Sequence, residues 1–335
     1  MVKYLCLKLC KGVIEIKISL IIPCYNEESS LLPFYDELNK VSSNMSSYDF
    51  EFLFVDDGSK DKTLSVLKNL AEADKRVTYI SFSKNFGKEA AMYAGFCNVT
   101  GDYTAVMDAD MQDPPSLLPE MVSILEKGEY DSVATRRVSR KGEPILRSFF
   151  ANRFYKIMKR SSDVDIVSGA RDFRLMKKSM VDAIVSMCEN TRFSKGIFGW
   201  IGFKTYWLPF KNVERVAGKS KWNFGKLVKY SFDGIIGFSN SPLKISLIFG
   251  ILFILGSFGC LAAGIINLTT RRYNNVWDCN AFNTFLILFS ILFVCGIMLI
   301  CLYVISMYIA KIYSEVKGRP HYIVAQTNKQ DVVKK

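Results

Sequence analysis

Two stretches constrain this chain more than any other feature. Ile245–Leu268 and Ala281–Ala310 run for 24 and 30 residues without a charged side chain. At a rise of ~1.5 Å per residue, helices of either length exceed the ~30 Å hydrocarbon core of a bilayer. Buried helices of soluble folds rarely go so far without a charge, so each run predicts a membrane span. Only twelve residues separate them, which makes a helical hairpin. Lys211, Arg215, Lys219, Lys221, Lys226, Lys229 and Lys244 precede the hairpin, and Lys311, Lys317, Arg319, Lys329, Lys334 and Lys335 follow it. The linker holds only Arg271 and Arg272. Basic flanks stay on the cytoplasmic side, so both ends of the chain are expected there. Lys3, Lys8, Lys11, Glu15 and Lys17 interrupt the first apolar residues, a pattern unlike a signal peptide.

The rest of the chain must supply the chemistry, and composition narrows it. The 335 residues carry 44 basic and 32 acidic side chains, a formal charge of +12, and 50% of them are hydrophobic. That apolar content excludes a disordered or fibrous chain. The positive surplus asks for an anionic partner: nucleic acid, phosphorylated substrate or membrane headgroups. A single histidine, His321, argues against a histidine-based triad or a multi-histidine zinc site. None of the nine cysteines stands in a CxxC pair, and Cys260, Cys295 and Cys301 lie in apolar runs. They read as small hydrophobes in a reducing compartment. Carboxylates, amides and cations are what remain.

From Lys17 to about Thr135, short β-branched runs alternate with helical patterns. Strands are predicted at Ile18–Ile22, Phe50–Val55, Thr78–Phe82, Thr104–Met107 and Ser132–Thr135, with helices near Ser29–Lys40, Lys62–Ala73, Glu89–Asn98 and Leu117–Glu126. This alternation predicts an α/β fold with a doubly wound, mostly parallel sheet and ligands at the carboxyl ends of its strands. Neither G-x-G-x-x-G nor a Walker A motif is present, so dinucleotide and P-loop chemistry lose their usual signature.

Polar motifs follow the predicted strands: Pro23-Cys24-Tyr25-Asn26-Glu27 after the first, Asp56-Asp57-Gly58-Ser59 with Asp61 and Thr63 after the second. Asn85-Phe86-Gly87-Lys88-Glu89 opens a helix, and Asp108-Ala109-Asp110-Met111-Gln112 follows the fourth strand. Together, in this order, they resemble the family 2 inverting glycosyltransferases of GT-A fold. More closely they resemble the branch holding polyprenyl-phosphate (bactoprenol) glucosyltransferases and dolichyl-phosphate mannose synthases. The resemblance runs from about Ile18 to Val324 and includes Ser168–Leu175, Lys195–Trp200 and the stretch from Arg215 through Gly218–Trp222. The predicted hairpin fits the polyprenyl-phosphate glucosyltransferases. The Gln-x-x-Arg-Trp motif of the processive polysaccharide synthases is missing, which weighs against polymer synthesis.

The resemblance implies roles for particular residues. Asp56 matches the acid that recognises the nucleotide base, Asp57 and Tyr25 frame the nucleoside, and Pro23 and Glu27 belong to the same pocket. Lys88, opening a helix, is a candidate phosphate or sugar contact. Asp108 and Asp110, one residue apart at a strand end, can face one Mg²⁺ or Mn²⁺ ion, hard cations that prefer oxygen ligands. Gln112 would add an amide oxygen. Such an ion offsets the charge of a departing diphosphate. Asp172 matches a family base or orienting acid. A phosphate monoester, with its second pKa at ~6, is already largely dianionic at neutral pH. Asp172 therefore reads as an orienting group, and positioning falls to Arg136, Arg137, Arg215 and Lys221, with Arg147 and Arg153 as further candidates.

From Arg136 to Arg160, nine basic residues face Glu143 alone, a local charge of +8, and Ile145, Leu146, Phe149, Phe150, Phe154, Ile157 and Met158 interleave with them. This is the pattern of an amphipathic helix on an anionic membrane surface rather than of a nucleic-acid site. Trp222–Phe238 repeats it. The expected organisation is an N-terminal extension (1–16), a cytoplasmic catalytic domain (17–210), a juxtamembrane amphipathic segment (211–244), two spans (245–310) and a cytoplasmic tail (311–335). The expected enzyme sits in a membrane, by inference a bacterial inner membrane. It moves a hexose, glucose from UDP-glucose with GDP-mannose as the alternative donor, to polyprenyl phosphate. A homo-oligomer, a separate flippase and a downstream glycosyltransferase are the expected partners besides the lipid bilayer. A related transferase with another lipid acceptor is the competing reading.

Overall fold

The computed structural model describes residues 16–137, 167, 169–189, 192–210 and 277–333. Its first strands arise from β-branched and aromatic runs, with Lys17 and Glu51 as charges set within them. β1 (Ile16–Cys24) and β2 (Tyr48–Asp56) lie in the middle of an eight-stranded sheet and pair in parallel, from Ile16 opposite Tyr48 to Cys24 opposite Asp56. Strands covered on both faces need apolar side chains pointing both ways. β2 shows this: Phe52 and Phe54 enter one core cluster while Leu53 and Val55 enter the other. Each fully buried side chain of this size contributes about 1.5–3 kcal/mol relative to exposure.

The first cluster is closed by α1 (Leu31–Ser43), α2 (Thr63–Ala73) and α4 (Leu118–Glu126), through Phe34, Leu38, Leu67, Met121 and Leu125. The second is closed by α3 (Lys88–Asn98), through Ala91, Tyr93 and Ala94. α3 lies tight on β1, because a Cβ added to Gly95 would come within 2.2 Å of the Ile21 side chain. β3 (Val77–Phe82) and β4 (Tyr103–Val106) flank the central pair in parallel. These elements match the predicted strands and helices, with ends moved by a residue or a few.

Beyond β5 (Ser132–Arg137) the expected alternation stops. β6 (Ala170–Lys177) runs antiparallel between β4 and β5, and α5 (Lys178–Ser186) and α6 (Ser194–Trp200) lead to β7 (Thr205–Phe210), parallel to β5. The order is β7-β5-β6-β4-β1-β2-β3-β8. The sheet is therefore mixed, with four parallel and three antiparallel pairings, and the parallel majority is narrower than the alternation predicts.

β8 (Val324–Thr327) comes from the expected tail and pairs antiparallel with β3. Tyr322 stacks on Phe82, and Lys329 Nζ donates to Glu51 Oε1 at 2.6 Å. Burial opposes ionisation of Glu51, but bonds from Lys329 and Ser19 outweigh it and lower its pKa.

The chain divides into two compact units, one of Met1–Ser231 with Arg319–Lys335 and one of Phe232–Gly318. In the second, α7 (Trp277–Val316) covers the later apolar run in 40 residues. Ile297–Val316 within it is long and apolar enough to cross a membrane, and Leu299, Leu302 and Ile309 are exposed. The earlier run, Ile245–Leu268, and the basic segments 138–160 and 211–244 lie outside the described residues.

Candidate functional site

Two parallel strands ending side by side build the first part of the site. Asp56 ends β2 and is 1% exposed. Its Oδ2 accepts from Ser81 Oγ at 2.7 Å and its Oδ1 from the Ser59 backbone N–H at 3.0 Å. Beside it, Asp57 accepts from the backbone N–H groups of Phe86 (2.6 Å) and Gly87 (2.9 Å). Burial pushes the Asp57 carboxyl up to about 6, with those two donors opposing the rise and the Asp56 charge adding to it. The acid of the second motif thus holds the loop that opens α3. Across from them, the Asn26 N–H donates to Ser59 Oγ and the Glu27 N–H to Thr63 Oγ1, while Ser30 Oγ donates to Glu27 Oε2 at 2.7 Å. Pro23 lies in β1, opposite Val55, and Tyr25 follows the strand.

Gly58 makes this turn feasible. Its φ is +65°, and a Cβ there would lie 2.4 Å from the Lys84 carbonyl carbon. Gly58→Ala faces both a left-handed backbone and a backbone clash. It is expected to cost about 2 kcal/mol or more, read as a lower melting temperature.

The second part gathers at the end of β4. Lys88, the first residue of α3, donates from Nζ to Asp172 Oδ2 at 2.5 Å and lies 2.7 Å from Asp108 Oδ1. Register explains the meeting: Val106 of β4 pairs with Arg174 of antiparallel β6, and continuing two residues puts Asp108 opposite Asp172. Burial alone would lower the Lys88 pKa, but the two carboxylates outweigh it and raise it. For Asp172, burial favours the neutral acid, yet Lys88, Lys195 and Arg171 hold its carboxyl well below the usual range. Asp172 is therefore a poor proton acceptor at neutral pH.

Beneath this pair lies a second one. Asp113 is fully buried, and its Oδ1 accepts from Arg171 Nε at 2.9 Å while its Oδ2 has no hydrogen-bond partner. Arg171 also reaches Gln112 Oε1 at 3.4 Å, and Asp110 Oδ1 accepts from the Gln112 N–H at 3.1 Å. Met111 takes a positive φ of 61° in this turn. Asp108, Asp110 and Gln112 thus stand on one short loop, tied through Arg171 to β6.

Of the remaining expected residues, Arg136 is exposed and Arg137 half-buried at the end of β5, where the Arg137 N–H donates to Gly169 O. Arg147, Arg153, Arg215 and Lys221 lie outside the described residues. The Lys88–Asp172 and Arg171–Asp113 pairs are not predicted from sequence, since they join segments 84 and 58 residues apart. The one available signal is that Arg171 and Asp172 stand in the Ser168–Leu175 stretch.

Among the described residues, no group of three or more histidines, cysteines or acids gathers as a metal cluster. Two carboxylates remain at the β4 end, with the Lys88 ammonium as a cation already seated on Asp108. Carboxylate oxygens such as those of Asp108 and Asp110 are the hard donors that suit Mg²⁺ or Mn²⁺, ions commonly held by one or two protein carboxylates with substrate phosphates and water completing the shell.

Acids and cations thus collect at the carboxyl edge of the central strands, the edge at which α/β sheets of this kind place their ligands. The model of glycosyl transferase family 2 matches residues 19–185, from β1 into α5. The Bacillus subtilis (strain 168) protein CsbB is 41% identical over 311 residues, 93% of this chain and 92% of that protein. The Escherichia coli (strain K12) protein named "Prophage bactoprenol glucosyl transferase homolog" is 36% identical over 93% of this chain and 100% of its own length. "Bactoprenol glucosyl transferase" of Shigella phage SfII is 35% identical over 93% of this chain and 99% of its own. The chain belongs to glycosyl transferase family 2. Among solved structures, the mannosyltransferase PcManGT from Pyrobaculum calidifontis, in complex with GDP-Man and Mn²⁺, aligns with a TM-score of 0.45 at 17% identity, over 89% of this chain and 88% of that one.

Proposed function

We propose that this glycosyltransferase is an inverting, metal-dependent enzyme that moves glucose from UDP-glucose to polyprenyl phosphate at the cytoplasmic membrane face. One observation carries the reading. Asp108 and Asp172 share one cation at the sheet edge, in a chain related over more than nine-tenths of its length to proteins named bactoprenol glucosyl transferase. α7, with Ile297–Val316 apolar enough to span, supports anchoring. Ile245–Leu268 would be the other half of the hairpin.

In this reading Asp56, held by Ser59 and Ser81, accepts a hydrogen bond from the base, and Pro23, Tyr25, Glu27 and Asp57 shape the nucleoside pocket. A divalent ion held by Asp108 and Asp110, with the Gln112 amide oxygen, would offset charge on the leaving diphosphate. Lys88 lies beside Asp108, within reach of the same phosphates. An oxygen of the acceptor phosphate forms the new bond to C1 as the bond from C1 to the diphosphate breaks on the opposite face, which inverts the anomeric centre. The attacking phosphate is already ionised, with a second pKa of ~6, so no strong base is needed. That agrees with the low basicity of Asp172, which orients Lys88. Arg136, Arg137, Arg147, Arg153, Arg215 and Lys221 draw the anionic nucleophile toward an anionic donor, an electrostatic and positional task.

Membranes containing the full chain, given radiolabelled UDP-glucose or GDP-mannose in turn, test the reading. The expected result is metal-dependent label in a lipid fraction, released by mild acid as a sugar phosphodiester should be, and stronger with UDP-glucose. An acid-stable glycolipid, or no transfer from any donor, would overturn it.

A further inference from the structure

β6, β7 and α6 surround a cavity of about 200 Å³ whose walls carry Arg171, Arg174 and Lys195 beside Phe198 and Trp207. No acidic side chain is among its described lining residues. Arg171 is committed to Asp113. Among the described residues Arg174 is hydrogen-bonded to no acid, although the Asp172 charge acts on it: at 4% exposure it donates to the neutral hydroxyls of Ser132 (3.3 Å) and Thr205 (3.2 Å), and its buried Nε has no partner there. Its guanidinium carbon lies 4.5 Å from the Phe198 ring centre and 5.3 Å from that of Trp207. Ring faces of this kind offset part of the cost of desolvating a cation, whereas a buried charge without a counter-ion costs more than they return. The deficit is what an incoming anion would relieve.

We propose that this cavity binds a phosphate group, separately from the Asp108–Asp110 carboxylates. A planar guanidinium in the cavity wall, joined by the point charge of Lys195, suits a tetrahedral oxyanion. The cavity has room beyond one such group, and its remaining walls combine the apolar Phe198, Phe203 and Trp207 with Thr205. The same chemistry is offered by free phosphate and by the headgroup of a phosphorylated lipid. The inference rests on the cavity alone and stands whether or not hexose transfer is found.

The experiment uses the full chain in lipid nanodiscs, without nucleotide sugar or metal. Inorganic phosphate and farnesyl phosphate are titrated separately at constant ionic strength, with thermal melting as the readout. Wild type is expected to melt at higher temperature with either ligand, by mass action. Lys195→Ala should raise the half-saturating concentration about tenfold or more, the loss of one charge-assisted hydrogen bond, and Lys195→Arg should retain binding. Arg174→Gln, where it folds, should abolish the shift. Farnesyl phosphate binding at least tenfold tighter assigns the site to a lipid headgroup, and equal binding assigns it to free phosphate. No phosphate-dependent shift in wild type, or an equal response from Lys195→Ala, overturns the proposal.

Discussion

Asp110→Asn is expected to lower sugar transfer by about a hundred- to a thousandfold, the scale seen when one charge-stabilising group is lost from a reacting centre. The melting temperature should stay close to wild type. Asp110 is half-buried on the loop after β4, and its Oδ1 accepts from the Gln112 N–H, a bond the Asn oxygen can keep. In the proposed function, what the substitution removes is the second negative charge offered to a divalent ion. Asp108→Asn is a less clean probe, because it also takes a partner from Lys88. Initial rates over a Mn²⁺ titration read the effect. A rate unchanged at every metal concentration would show that Asp110 holds no catalytic ion.

Arg171→Met should produce the largest loss of stability. Asp113 is fully buried, and Arg171 is the one cation bonded to it among the described residues. Breaking a buried pair from one side costs about 3–5 kcal/mol, because the remaining charge stays buried and unpaired. In a domain of this size that is a fall of about 10 °C in melting temperature. Burial already raises the Asp113 pKa despite the opposing Arg171 charge, and the substitution raises it further. A raised acid pKa contributes stability at low pH that is lost as pH rises through the folded value. The deficit of Arg171→Met should therefore widen from acid toward neutral pH. Adding Asp113→Asn should recover most of it, and no recovery in the double variant would show that Arg171 stabilises the loop by packing.

Much of the fold was legible because its signals are local. β1 to β5 and the four helices between them carry apolar runs or amphipathic spacing within a single element. β6 was not, since Ala-Arg-Asp-Phe-Arg-Leu-Met-Lys places three charges among its first five residues. Only the register against β4 shows that these charges are the purpose of the strand: Asp172 meets Asp108, Arg171 meets Asp113, and Arg174 is enclosed by rings. β8 was hidden for another reason. Val324–Thr327 is four residues long, and its place depends on β3, nearly 250 residues earlier. The site divides in the same way. The acids of β2 and β4 stand at strand ends where a parallel sheet displays them, so Asp56, Asp108 and Asp110 were readable. Lys88 reads from sequence as a phosphate or sugar contact and not as the partner of Asp108 and Asp172, because pairs across 20 and 84 residues leave no mark in spacing.

Chemical analysis of the product made from defined components tests the proposed function most directly. Purified full-length protein would be given UDP-α-glucose, Mn²⁺ and polyprenyl phosphate in nanodiscs, and the lipid product examined by ³¹P and ¹H NMR. The predicted result is a single glucosyl phosphodiester with the β configuration at C1, formed about a hundred- to a thousandfold more slowly by Asp110→Asn. An α-linked product, or glucose attached to anything other than the lipid phosphate, would contradict it.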